Sequence, residues 1–171
     1  MGAGKTSVGQ QLAHDLGWRF IDLDDRIVAA EGRNVPEIFR TDGEAIFRAK
    51  ETAALKELIG ELGAQPTVIA LGGGAFAQLA NVALIRDTKS PVIFLDAPVE
   101  ELMNRCRPQA GQRPLFQDEN QFRQLYEQRR SAYMKADLRV DTCGRSVPEV
   151  ASELGSLLGL TVPDEQTKRH S

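Results

Sequence analysis

Cysteine, histidine and tryptophan are scarce: the 171 residues include two cysteines, two histidines and one tryptophan. Cys106 and Cys143 have neither C-x-x-C spacing nor a histidine cluster beside them, so neither a disulfide framework nor a zinc site is expected and both read as reduced thiols. His14 and His170 have no partner pattern and read as surface residues. No apolar run approaches the ~18–20 residues needed to cross a bilayer, and the chain does not open like a signal peptide. No membrane association and a cytoplasmic location are therefore expected. An excess of basic charge is also missing. With 21 Lys+Arg against 24 Asp+Glu the net charge is −3, which disfavours broad attraction to nucleic acid, so any anion bound must be held by a local site. No linker or internal repeat divides the chain. Its 42% hydrophobic and 26% charged content is ordinary for one compact domain with a real core. One domain over residues 1–160 is expected, followed by a disordered polar tail over 161–171.

Apolar runs alternate with helix-period stretches along the chain, the signature of an α/β fold in which a parallel sheet is flanked by helices. Strands are predicted at Arg19 to Asp22, Thr67 to Leu71, Pro91 to Leu95 and Leu138 to Asp141. Helices are predicted at Thr6 to Leu16, Asp24 to Glu31, Ala77 to Asp87, Val99 to Cys106, Asn120 to Lys135 and Val147 to Leu158. The first has a Val8, Leu12, Leu16 stripe and stops at Gly17. Another, capped by Thr41 or Asp42, is predicted to run to about Leu62 with Ile46, Ala53, Leu58 and Leu62 buried. Between Cys106 and Asn120 a stretch with two prolines and no clean period reads as a long mobile loop.

The chemistry-bearing motif comes first. Met1-Gly2-Ala3-Gly4-Lys5-Thr6 leading straight into an amphipathic helix is the second half of a P-loop. Glycines let backbone N–H groups converge on phosphate oxygens, and the helix N-terminus adds partial positive charge. Lys5 would neutralise β/γ oxygens, and the Thr6 hydroxyl can ligate Mg²⁺. The full motif needs a first glycine that would fall ahead of Met1, and an apolar strand to feed the loop; either the nucleotide site has been lost or, as the retained Gly-Lys-Thr favours, the domain is N-terminally incomplete and upstream residues encode that strand.

Asp22 and Asp24 lie at i and i+2 where a strand gives way to a helix, so both carboxylates point to the ligand-binding end of the sheet while Asp25 faces away. One can work through a Mg²⁺ water while the other accepts a proton from a substrate hydroxyl; alternatively one simply caps the helix. Arg48 and Glu51, at i and i+3, taken alone read as a solvated intrahelical pair. Gly72, Gly73 and Gly74 after a strand read either as a tight turn or, better, as a place where the backbone approaches something closely. Arg113 sits in the long loop, where closure would carry it onto a transferring phosphoryl group. Of Arg129 and Arg130, one should face inward.

Six motifs in this order resemble the shikimate kinase family, from Met1 to about Leu160: Gly-Ala-Gly-Lys-Thr; Phe-Ile-Asp-Leu-Asp-Asp; Ile38-Phe39-x-x-x-Gly43-Glu44-x-x-Phe47-Arg48-x-x-Glu51; Leu-Gly-Gly-Gly-Ala; Arg-Pro-Leu-Phe; and Arg129-x-x-x-Tyr133. The resemblance implies a P-loop kinase fold with a lid loop, and ATP-dependent phosphorylation of the shikimate 3-hydroxyl in aromatic amino acid biosynthesis. It implies nucleotide contacts at Gly2, Ala3, Gly4, Lys5 and Thr6, a magnesium shell at Thr6 and Asp22, and Asp24 as the base on the reacting hydroxyl. Arg48 and Arg129 would clamp the shikimate carboxylate and the Gly72 to Gly74 backbone would line the acceptor site. Arg113 would be the lid arginine, with Arg105 packing on adenine and Arg145 and Pro148 closing over it. Shikimate and ATP are the expected partners, and a monomer is expected. Two readings compete: another small-molecule P-loop kinase such as a gluconate kinase, and a non-catalytic module that senses a ligand.

Overall fold

The computed structural model describes residues 2–106 and 118–160. Helix α1 spans Lys5–Leu16, with Gly4 ahead of it at φ 81° and Gly17 behind it at φ 66°. Both lie in the left-handed region that a side chain would strain, so glycine marks each end of the helix. Val8, Leu12 and Leu16 are buried, as their spacing predicts.

Strand β1 (Arg19–Asp22) runs parallel to β2 (Thr67–Ala70), with Arg19 opposite Thr67 and Asp22 opposite Ala70. Strand β3 (Ile93–Asp96) runs parallel to β4 (Leu138–Asp141), with Ile93 opposite Leu138 and Asp96 opposite Asp141. Among the described residues these are two separate two-stranded ladders. Helices flank them, as the alternation of apolar and helix-period runs implied. The β3 ladder starts later than its apolar run because Asp137 occupies the approach: its carboxylate accepts the Val92 amide at 2.7 Å, and its own amide donates to the Val92 carbonyl at 2.8 Å.

Helix α2 is Leu23–Glu31 and α3 is Val35–Glu61, the latter broken at Gly43 (φ 82°, ψ 168°). The long helix thus begins before Thr41 and Asp42, which do not cap it. Asn34 and Glu37 form a reciprocal capping box there, with a proline in the first turn. Thr41 donates instead to the Glu37 carbonyl, and Asp42 accepts two bonds from Arg33 at 2.7 and 3.0 Å. The break resets the helical phase. Leu58 is buried as expected, but Ile46 is 49% exposed and Phe47, Ala54 and Leu55 take the interior in its place and Ala53's. The remaining helices, α4 (Leu79–Asp87, after a 3-10 turn at Ala75–Ala77), α5 (Val99–Cys106), α6 (Glu119–Tyr133) and α7 (Val147–Leu157), fall within two residues of their predicted bounds.

Two apolar clusters hold the layers. One joins α1, α5, α6 and α7 to β3 and β4 through Leu12, Leu95, Leu102, Phe122, Val140 and Leu154. The other packs α2, α3 and α4 together through Leu23, Ile27, Ile38, Leu55, Leu58 and Ile85, with Ile21 and Ile69 of the β1–β2 ladder against it. Each such side chain, fully buried, contributes about 1.5–3 kcal/mol. Gly72 and Gly73, just past β2, share a cavity wall with Ala3, Lys5, Leu95 and Tyr133, so the strand ends and the start of α1 open onto one place.

Candidate active site

Gly2 lies against α5: a methyl there would sit 2.7 Å from both the Cys106 Sγ and the Leu102 carbonyl oxygen, and its φ of 69° is already left-handed. Gly4 turns the chain into α1, Ala3 is buried, and Lys5 and Thr6 open the first helical turn. Thr6 donates its hydroxyl hydrogen to Asp22 Oδ2 at 2.7 Å. The other oxygen of Asp22 accepts the Asp24 amide at 2.9 Å, capping α2. Asp22 therefore caps α2 with one carboxylate oxygen and holds the Thr6 hydroxyl, in the first turn of α1, with the other.

Asp24 sits half-buried in the first turn of α2. Burial raises its pKa above the ordinary carboxylate value, and the neighbouring Asp22 charge raises it further; Lys5 and Arg48 pull the other way. Asp25 adds a smaller push upward, so burial and the two like-charged neighbours outweigh the two cations and favour the protonated carboxyl.

Arg48 is not the solvated pair that its spacing suggested. Its Nη1 donates to Glu51 Oε2 at 2.9 Å, and Glu51 is 0% exposed. Its guanidinium lies 5.2 Å from the Phe47 ring centroid and 5.7 Å from that of Phe39, within cation–π range. Glu51 also accepts from Gln78 at 2.6 Å, while its Oε1 is buried with no hydrogen-bond partner among the described residues. Burial raises the Glu51 pKa, and Arg48 offsets part of that.

The triple glycine is a close approach rather than a conformational device. None of Gly72, Gly73 and Gly74 has a positive φ. A methyl at Gly72 would stand 2.6 Å from Asp24 Oδ1 and 2.8 Å from Glu51 Oε1, and one at Gly74 would collide with the Arg48 guanidinium. The Gly73 carbonyl accepts from Arg129 at 3.1 Å and also from the Tyr133 hydroxyl. Of the arginine pair on α6, Arg129 is the inward one, at 8% exposure. Burial raises the Tyr133 pKa, keeping that hydroxyl a donor. Glu51, Gln78 and Tyr133 were not singled out by sequence reasoning as chemistry. Glu51 and Tyr133 stood inside quoted motifs, whereas Gln78 carried no signal.

Arg105 and Arg145 meet at a different place, the turn after β4. Arg105 donates to the Thr142 carbonyl at 2.8 Å and its hydroxyl at 3.1 Å; Arg145 donates to the Asp141 carbonyl at 3.1 Å and pairs with Glu153. Arg113 and the rest of the expected lid, together with the expected tail and His170, lie outside the described residues. Among the described residues no helix is long and apolar enough to cross a membrane. His14 is exposed; Cys106 is buried, Cys143 is exposed, and both are free.

The shikimate kinase family model matches residues 1–158. The chain is 40% identical over 161 residues to the shikimate kinase of Geobacter metallireducens, covering 92% of this chain and 87% of that one. It is 40% identical over 157 residues to that of Thermus thermophilus, covering 90% and 83%. Among solved structures, shikimate kinase from Acinetobacter baumannii in complex with shikimate matches with a TM-score of 0.85 at 35% identity, over 93% of this chain and 89% of that one. That from Bacteroides thetaiotaomicron matches with a TM-score of 0.82 at 30% identity, over 94% of each. With a phosphate loop, an acidic pair and two arginines gathered on a glycine turn, and with these matches across nearly its whole length, the chain belongs to the shikimate kinase family.

Proposed function

We propose that this chain transfers the γ-phosphoryl group of ATP to the 3-hydroxyl of shikimate, giving 3-phosphoshikimate and ADP. One observation carries the assignment of roles: two arginines and two carboxylates converge on a single glycine turn, Arg129 on Gly73, Arg48 against Gly74, and Asp24 and Glu51 against Gly72. Paired guanidinium groups suit an anionic acceptor, because each presents a planar fork of donors to a carboxylate. Asp24, on the Lys5 side of that turn, accepts the proton of the attacking hydroxyl; burial has raised its basicity for that purpose. Glu51 holds Arg48 in place, and Tyr133 and Arg129 together fix the Gly73 carbonyl.

The N–H groups at the start of α1 and the Lys5 ammonium receive the ATP phosphates. The Thr6 hydroxyl and the Asp22 carboxylate, 2.7 Å apart, are two hard oxygen donors and fit Mg²⁺, which usually takes few protein ligands and completes its shell with water and phosphate. Bound there, Mg²⁺ would neutralise charge on the β- and γ-phosphates. Arg105 and Arg145, gathered at the turn after β4, border the adenine end, and Arg113 is assigned to the transferring phosphoryl group. Most of the acceleration then comes from alignment and charge neutralisation, with proton acceptance by Asp24 contributing a factor of about 10²–10⁴.

The test is ADP release measured with shikimate, with gluconate and with no acceptor, in the parent chain and in Lys5→Ala. Release that requires shikimate and drops by about 10²–10³ in the variant is expected. Equal release with gluconate, or none with either acceptor in a folded, ATP-binding chain, would overturn the reading.

A further inference from the structure

Asp96 ends β3 as a buried carboxylate to which phosphoryl transfer gives no task. Burying a charge is costly unless donors surround it, and here α6 and β4 both supply them. The Tyr126 hydroxyl of α6 donates to Asp96 Oδ1 at 2.8 Å, and the Ala97 amide donates to the same oxygen at 3.0 Å. Arg139 of β4 donates from Nε to Oδ2 at 2.9 Å and pairs again through Nη2 at 2.8 Å. The main chain of Asp96 is engaged as well. Its carbonyl accepts from the Thr142 amide at 2.8 Å and from the Thr142 hydroxyl at 3.1 Å.

Both sets of bonds lead to arginines assigned to a substrate. On α6, Arg129 stands three residues after Tyr126 and four before Tyr133, so the three side chains share one helix face. β3 holds that face on either side of Arg129: Asp96 takes the Tyr126 hydroxyl, and the Phe94 ring lies 5.2 Å from that of Tyr133. Burial raises the Tyr126 pKa and the bond to Asp96 raises it further, so that hydroxyl stays a donor. At the turn after β4, the Thr142 hydroxyl accepts from Arg105 Nη1 at 3.1 Å and the Thr142 carbonyl from Nη2 at 2.8 Å.

We propose that Asp96 is a positioning residue for both substrates: its carboxylate sets the Arg129 guanidinium through Tyr126, and its carbonyl sets Arg105 through Thr142. The inference rests on the acceptor and nucleotide roles given to those two arginines. A guanidinium is a planar fork, so its contribution depends on the plane in which it is held as well as on its charge. Arg139 serves a different purpose: it neutralises the buried carboxylate from the solvent side and reaches neither arginine through the bonds described.

Replacing Asp96 would strip the Tyr126, Ala97 and Arg139 donors of their acceptor at once, so the experiment changes its partners instead. Tyr126→Phe keeps the buried ring and removes the hydroxyl; KM for shikimate should rise by about three- to tenfold while KM for ATP stays within about twofold. Thr142→Val should do the reverse, raising KM for ATP by about threefold and sparing shikimate, and Thr142→Ser, which keeps the hydroxyl, should restore the parental value. Arg139→Ala deprives the same carboxylate of its cation and should lower Tm, yet it should leave both KM values within about twofold of the parent. KM changes that simply follow Tm across these variants would overturn the proposal. The position of Arg129 is also read without substrate: its side-chain Nε–H resonance should shift in Tyr126→Phe and hold its place in Arg139→Ala. A chain that shows this shift but releases no ADP with shikimate would defeat the proposed function and leave the positioning role standing. A chain that turns over shikimate and lacks either the KM split or the shift would defeat the positioning role alone.

Discussion

The Thr6 hydroxyl donates to Asp22 across 2.7 Å, tying the first turn of α1 to the end of β1, while the other oxygen of the same carboxylate caps α2. The two duties separate by substitution. Asparagine caps a helix about as well as aspartate, but it carries no charge for a cation. Asp22→Asn should keep Tm within about 2 °C of the parent and raise the Mg²⁺ concentration needed for half-maximal rate by about 10–100-fold. Asp22→Ala should lose the cap as well, about 1 kcal/mol of stability. Unchanged Mg²⁺ dependence in Asp22→Asn would reduce Asp22 to a cap.

Asp24 offers a pH test with a definite sign. Its folded pKa is raised, chiefly by burial, so the stabilisation associated with its neutral form is fully present below the unfolded value and is lost as pH rises through the folded pKa. At neutral pH the ionised carboxylate is therefore a liability to the fold. Asp24→Asn should melt a few degrees higher than the parent at pH 7, by about 2–4 °C, and the difference should vanish near pH 4. The same change should lower kcat by about 10²–10⁴ if Asp24 accepts the hydroxyl proton. A variant that is both less stable at pH 7 and fully active would sink the assignment.

The arginine clamp should be visible as a split between the two substrates. Arg48→Ala and Arg129→Ala each deprive an acceptor carboxylate of a charge-assisted partner, about 1.5–3 kcal/mol, so KM for shikimate should rise by at least about tenfold. KM for ATP should stay within about threefold of the parent, a bound well below that tenfold loss. Arg48→Ala has a second consequence, because Glu51 is 0% exposed and loses its cation. Its stability loss should exceed that of Arg129→Ala at pH 8 and shrink toward pH 5, where Glu51 can take up a proton. A matched rise in KM for ATP would place these arginines elsewhere.

What the sequence made legible was local chemistry with a fixed spacing. The β4 bounds, Leu138–Asp141, follow from a short stretch in which apolar Leu138 and Val140 alternate with charged Arg139 and Asp141, and the α1 bounds from a Gly-Lys-Thr start and a Gly17 stop. The first part of α3 escaped although its signals were present, an Asn34-x-x-Glu37 capping box and Pro36, because Gly43 split the periodic pattern and drew the predicted start to Thr41. Glu51 escaped for a deeper reason. On one helix, an Arg–Glu pair at i and i+3 looks the same whether it faces water or the interior, and what buries this one is a turn more than twenty residues away in sequence, Gly72 to Gly74. Tertiary proximity of that kind leaves no periodic trace. The same holds for Arg105 and Arg145, which share the turn after β4 through the Thr142 hydroxyl and carbonyl for one and the Asp141 carbonyl for the other.

The glycine turn separates backbone freedom from close approach, and that is testable one methyl group at a time. Gly74 has φ −114° and Gly72 is not in the left-handed region either, so alanine fits the backbone at both positions. The new methyl would meet only the far ends of flexible side chains: Asp24 Oδ1 at 2.6 Å and Glu51 Oε1 at 2.8 Å from position 72, and the Arg48 guanidinium from position 74. Those tips can move aside, so each variant should fold and melt within about 4 °C of the parent, a change of roughly 1 kcal/mol. Activity should not be spared, because the groups that must move are the proposed base and one arm of the clamp. A displacement of about 1 Å at a reacting group can lower the rate by about a hundredfold. Gly72→Ala should therefore act mainly on kcat, through Asp24, and Gly74→Ala mainly on KM for shikimate, through Arg48. Two variants that retain parental kinetics would show that neither side chain needs its present position, and the assignment of the acceptor site to this turn would fail.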